Sequence, residues 1–104
     1  MVASRRIPAG RLSGLGFTPG AVLTAASVPG SIVLTLREDG LSRYRELVPF
    51  ARANKLQLLQ VQPQGGQSFI ELPGYILARA GFDRDAALVL SASYGLIKIR
   101  KPLS

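Results

Sequence analysis

The 104-residue chain contains neither cysteine nor histidine. Without cysteine, neither disulfides nor a thiolate metal site can hold a fold together. Without histidine, the usual general base, the usual zinc ligand and the pH switch near neutrality are all missing. The lack of thiols suits a reducing compartment, and a cytoplasmic location is expected. No apolar run approaches the roughly 20 residues of a membrane-spanning helix, so no membrane partner is expected. Arg5 and Arg6 are not followed by an apolar stretch, which argues against a secretory signal. Acidic residues are scarce as well. Six Asp+Glu face thirteen Lys+Arg, a formal charge of +7.

What is present is a basic chain with enough apolar residues, 47%, to bury a core. Its length suits one compact domain spanning 1–104, or two small halves sharing a core. Ten of the thirteen cations are arginine, whose planar fork matches phosphate oxygens. A basic excess of this size in a small domain points to a polyanionic partner, most often nucleic acid. The plainer reading is a well-solvated basic surface.

The main organising feature is repetition. LGFTPGAVLTAASVPGSIVLTLRE, residues 15–38, resembles ARAGFDRDAALVLSASYGLIKIRK, residues 78–101; with Gly16-Phe17 placed on Gly81-Phe82 the two align without gaps through Leu36 and Lys101. Identities then fall at Gly16/Gly81, Phe17/Phe82, Ala21/Ala86, Leu23/Leu88, Gly30/Gly95 and Ile32/Ile97. Each copy reads as a β-hairpin. In the first, strands over 21–28 and 31–37 flank Pro29-Gly30, a turn dipeptide in which Pro sets φ and Gly accepts positive φ. In the second, strands over 86–92 and 96–101 flank Ser93-Tyr94-Gly95, and Ile97 and Ile99 alternate with Lys98 and Arg100. Phe17 and Phe82 are expected to be a matched core pair.

A lead-in precedes each Gly-Phe, with Leu12 placed on Leu72 and Gly14 on Gly74. In the second copy, Tyr75–Ala80 has Ile76, Leu77 and Ala80 on one helical face. The first copy keeps only Leu15 there, so its helix is expected to be absent or collapsed to a turn. The connector differs from both. Residues 41–54 have helical spacing at Leu41, Tyr44, Leu47 and Val48, with Ser42 as a candidate N-cap and Pro49 expected to kink or end the helix. Residues 55–62 read as a strand, and 64–67 as a loop. The division is therefore 5–38 for the first copy, 39–66 for the connector and 67–104 for the second.

Three stretches of the first copy, Ser4-Arg5-Arg6-Ile7-Pro8-Ala9 with Leu12-Ser13-Gly14, Gly16-Phe17-Thr18-Pro19-Gly20, and Pro29-Gly30-Ser31-Ile32-Val33-Leu34-Thr35, resemble the SymE family of small bacterial toxins. That family is related to the AbrB/MazE swapped-hairpin fold. The second copy matches again over residues 70–82 and 95–99. The chain departs from the family pattern in carrying two copies, and in lacking the short helix in the first. The resemblance implies a mainly β fold with short helices, an AbrB-like swapped-hairpin β-barrel built from two internal repeats. A lone hairpin unit leaves strand edges and an apolar face uncovered. Two copies in one chain could close on each other; alternatively each could pair with a second chain, as a homodimer.

The resemblance further implies binding of DNA or RNA through basic residues on loops and on the exposed sheet face, with no cofactor. The candidates are Arg5, Arg6, Arg11 and Arg37 in the first copy, Arg43 and Arg45 in the connector, and Arg79, Arg84, Lys98, Arg100 and Lys101 in the second. Arg52 and Lys55 add to the connector's charge. Arg5-Arg6 reads either as a phosphate-binding arm or as a loose tail, and Arg11 and Arg100 either as phosphate contacts or as solvated strand cations. Tyr44, between Arg43 and Arg45, is either a base-stacking residue or part of the helix core. SymE-like RNA cleavage is the alternative function, and a protein-interaction adaptor with a protein partner is a further one. No residue is assigned a catalytic role. The close acid pairs, Glu38-Asp39 and Asp83/Asp85, read first as turns and second as carboxylates able to hold Mg²⁺ through waters; no metal site is expected.

Overall fold

The computed structural model describes residues 4–40, 42–64, 67–83 and 87–102. Eight strands and three short helices follow in order: β1 (Arg5–Pro8), a 3₁₀ helix (Gly10–Leu15), β2 (Val22–Val28), β3 (Ser31–Arg37), α1 (Tyr44–Ala53), β4 (Gln57–Gln60), β5 (Gln62–Gln64), β6 (Gln67–Leu72), α2 (Gly74–Arg79), β7 (Val89–Ser93) and β8 (Leu96–Arg100). The protein is mainly β with short helices. All strand pairs are antiparallel.

The expected closed barrel does not form. The strands divide between a three-stranded sheet, β1-β6-β5, and a five-stranded sheet, β4-β2-β3-β8-β7. At one side the chain passes from sheet to sheet through Val61, which exchanges backbone hydrogen bonds of 2.9 Å with Gly20 and Ala21. The strand read over 55–62 is thereby split into β4 and β5. At the other side β1 and β7 share no ladder, and a cleft lies where their pairing would close the ring.

Sequence alternation places the core. Ile32 and Leu34 of β3 and Ile97 and Ile99 of β8 point inward, and Val33, Thr35, Lys98 and Arg100 point outward, as the two-residue period demands. Phe17 and Phe82 are both fully buried in one apolar cluster with these residues and with Ile7, Ile70, Leu72 and Leu77 from the smaller sheet and α2. Fully burying a side chain of this size contributes roughly 1.5–3 kcal/mol relative to exposing it.

The two hairpins dock reciprocally. The Gly30 amide at the first turn donates to the carbonyl of Ala80 at the end of α2, 2.8 Å. The Gly95 amide at the second turn donates to the carbonyl of Leu15 at the end of the 3₁₀ helix, 2.9 Å. Both glycines hold positive φ, 82° and 72°. The central β3–β8 ladder matches Ser31 to Arg100, Val33 to Lys98 and Thr35 to Leu96. A shift of 65 residues carries Val33 onto Lys98, so the strands cross at corresponding positions.

Several local expectations are corrected. Arg5 and Arg6 are not an arm or a tail: they lie in β1, paired across to Leu72 and Glu71 of β6. Arg11 is on the 3₁₀ helix, not a strand. That helix is as long as α2, so the first copy has not lost its helical turn. Pro49 neither ends α1 nor stops it short of Ala53. It removes only the bond to the Arg45 carbonyl, because a proline lacks one donor. Ser42 does not cap α1; its hydroxyl donates to Asp39 O, and Arg43 holds the cap position. Tyr44 is exposed rather than core. The helix start at Leu41, the strand start at Ala86, and Gly65, Gly66, Arg84 and Asp85 lie outside the described residues.

Candidate functional site

α1 ends in a left-handed turn. The Leu56 amide donates back to Ala51 O (2.8 Å) and the Lys55 amide to Arg52 O (3.3 Å), with Lys55 at φ 56°. This is the Schellman arrangement, usually built on glycine. It sends the chain into β4 beside the far end of β2, where Ser27 donates its hydroxyl to the Ile76 carbonyl of α2 (3.1 Å). The result is a cleft of about 610 Å³ lined by Ser27, Arg52, Lys55, Gln57, Tyr75 and Arg79 among others. Among the described residues three cations and no carboxylate line it. Neither Arg52, Lys55 nor Arg79 makes a salt bridge to a described residue. Like charges gathered this way favour an anion between them.

A second basic cleft, of about 580 Å³, is the one that separates β1 from β7. Arg5, Arg6 and Arg11 line it together with Leu88 and Leu90. Here too no described carboxylate is in the lining, but Arg6 pairs across to Glu71 of β6 (3.6 Å) and lies 4.6 Å from the Phe69 ring centroid.

The remaining candidates do not join these groups. Lys98 and Arg100 stand on the outer face of β8. Lys101 lies over the Phe82 ring, 5.9 Å from its centroid. Arg43 is paired with Glu46 at 2.8 Å, and Arg45 is exposed on the first turn of α1. Arg37 is committed to structure: its Nε donates to buried Thr24 (3.3 Å), and its guanidinium lies 5.2 Å from the Phe50 ring centroid, tying α1 to the sheet. The candidate cations therefore form two clefts and a sheet face rather than one wall.

Arg37 and Glu38 also line a third cavity, of about 600 Å³, with Asp39 and Tyr94. The Tyr94 hydroxyl donates to Glu38 Oε1 at 2.6 Å. That bond, with the carboxylate's charge, raises the Tyr94 pKa, because ionising the phenol would break the bond and set two negative charges side by side. Among the described residues no group of three or more acidic side chains could hold a metal ion. No described helix is long and apolar enough to cross a membrane.

Sequence reading named Arg79, Arg5, Arg6 and Arg11 as candidates without grouping them, and noted Arg52 and Lys55 as connector cations; the structure divides them between the two clefts. It missed Tyr75, Ser27 and Gln57. The signal for Tyr75 was available: with Ile76, Leu77 and Ala80 buried on one face of α2, Tyr75 and Arg79 are left to the outward face, one turn apart. Comparison with family models, with curated proteins and with solved structures finds no match for this chain.

Proposed function

We propose that the chain is a small nucleic-acid-binding protein acting by binding, with an AbrB-like pair of swapped hairpins, and serving as a regulator of DNA-associated or toxin–antitoxin type. The observation that carries the reading is the pair of clefts, each lined by three Lys or Arg side chains and, among the described residues, by no carboxylate, with Arg6 keeping its pairing to Glu71 beside its cleft. The reciprocal docking of each hairpin turn on the other copy's helix supports the swapped-hairpin reading. In this reading phosphates sit in the clefts and displace condensed counterions, so affinity falls with salt.

The test is an electrophoretic shift across a salt series with duplex DNA, single-stranded DNA and RNA in parallel. Neutralising three phosphates of a single strand gives a log–log slope of roughly −2. Arg52→Ala combined with Arg79→Ala is expected to flatten that slope and weaken binding. No binding to any of the three polymers, or binding indifferent to salt, would refute the proposal.

A second reading, RNA cleavage of the SymE type, is favoured by one observation: the Glu38 carboxylate faces an open cavity beside Arg37 and hydrogen-bonded Tyr94. The same RNA mixtures, run on denaturing gels, separate the two. RNA cut by the wild type but not by Glu38→Gln, at unchanged affinity, selects cleavage; intact RNA selects binding alone.

A further inference from the structure

The two basic clefts differ in one respect. The Arg5–Arg6–Arg11 cleft is lined by no aromatic ring among the described residues, and the nearby Phe69 ring is covered by Arg6, whereas the Arg52–Lys55–Arg79 cleft contains Tyr75, 52% exposed and free of hydrogen bonds to described residues. From this we infer that the second cleft binds single-stranded nucleic acid, with an unpaired base stacked on Tyr75 and the flanking phosphates held by Arg79, Arg52 and Lys55. The inference rests on the nucleic-acid reading above and names its polymer.

Three features of the cleft carry it. An exposed ring among cations is the pairing that single-strand binders use, since every base offers a π-face and every linkage a charge. In a duplex those faces are hidden in the stack, so the ring would gain nothing there. Tyr75 and Arg79 are one helical turn apart, which sets ring and guanidinium side by side for one base and its phosphate. The cleft volume, about 610 Å³, falls in the range of roughly 300–1,000 Å³ that holds small organic ligands. That is room for a nucleotide or two of a flexible strand. The Gln57 amide and Ser27 hydroxyl supply polar groups at the same place. Tyr44, flanked by arginines in the chain, has no such setting. It shares a shallow depression with Leu58, Gln60 and Glu71, whose carboxylate repels phosphate.

Fluorescence anisotropy tests the inference with a labelled oligothymidylate, an abasic strand of equal length and a duplex of equal length. The wild type should prefer the oligothymidylate to both others. Tyr75→Ala should weaken oligothymidylate binding by roughly ten-fold or more and abolish the preference over the abasic strand, because one stacked base contributes that much. Tyr75→Phe should keep both, since the face is retained. Thermal melts of the variants report folding; an exposed ring should be removable without loss of structure. Binding that ignores Tyr75→Ala, or that is equal on duplex and single strand, overturns the inference while leaving nucleic-acid binding in place. Absence of binding to every polymer overturns both.

Discussion

Lys55 holds a conformation that costs a side-chain-bearing residue about 1–2 kcal/mol and costs glycine almost nothing. It does so at φ 56°, at a helix end where glycine is the ordinary choice, and its side chain lines the Tyr75 cleft. Strain of this kind gathers where a side chain has a task. Lys55→Gly is therefore expected to move stability and binding in opposite directions. The urea midpoint should rise by the equivalent of about 1 kcal/mol. The single-strand salt slope should become shallower by roughly 0.7, one phosphate's share. A variant that gains stability and keeps its slope would show Lys55 to be outside the binding surface. Residue-scale legibility was uneven for a related reason. Phe17 and Phe82 could be read because each follows a glycine at the same point of a repeat, and both are buried. Tyr44 was singled out for its neighbours in sequence, yet adjacent helical residues point in different directions. Tyr75 shares its cleft with three cations, whereas Tyr44 shares its depression with Glu71.

Among the elements, strands bounded by turn residues were legible almost to their ends: β3 runs Ser31–Arg37 as read, and β2 and β8 are each shorter by a single residue, although only β3 and β8 alternate and β2 is buried along its first half. The 3₁₀ helix was not, because Gly10-Arg11-Leu12-Ser13-Gly14-Leu15 has two glycines and no apolar face to mark it. It forms in part because the Gly95 amide of the opposite hairpin satisfies its last carbonyl. The split at Val61 was equally hidden, since both β4 and β5 keep the extended backbone that the sequence signals. α1 illustrates the converse, a break read in the sequence that the fold bridges. Proline within a helix costs about 3 kcal/mol relative to alanine in exposed hosts. Pro49 is exposed inside α1, so little burial is lost on replacing it with alanine. Pro49→Ala is expected to stabilise the protein by about 1–3 kcal/mol, read as a higher melting temperature with no change in strand content. A lower melting temperature would mean that the proline sets a bend which α1 needs to reach Arg37.

At the scale of the molecule, no sheet belongs to one half of the sequence. β1 pairs with β6, β3 pairs with β8, and each turn glycine bonds to the other half's helix. Peptides 1–66 and 67–104 should each lack a cooperative melt alone and regain one when mixed in equal amounts, followed by far-ultraviolet circular dichroism. A fragment that melts cooperatively by itself would place the folding unit within one half. Internal pairing was legible because both copies carry the same inward-facing residues. Whether the last edges would join was not: alternation fixes which face is buried, and leaves open whether β1 and β7 bond to one another. They do not, and the gap between them holds Arg5, Arg6 and Arg11.

The reciprocal docking of the two hairpins has one more result. Where two identical chains interlock, any change to the gene is made twice, and both recesses alter together. Here both hairpins lie in one polypeptide, so the two clefts are free to differ. One has a tyrosine as its centrepiece, the other is bounded by two leucines, and a mutation can retune either without disturbing its counterpart.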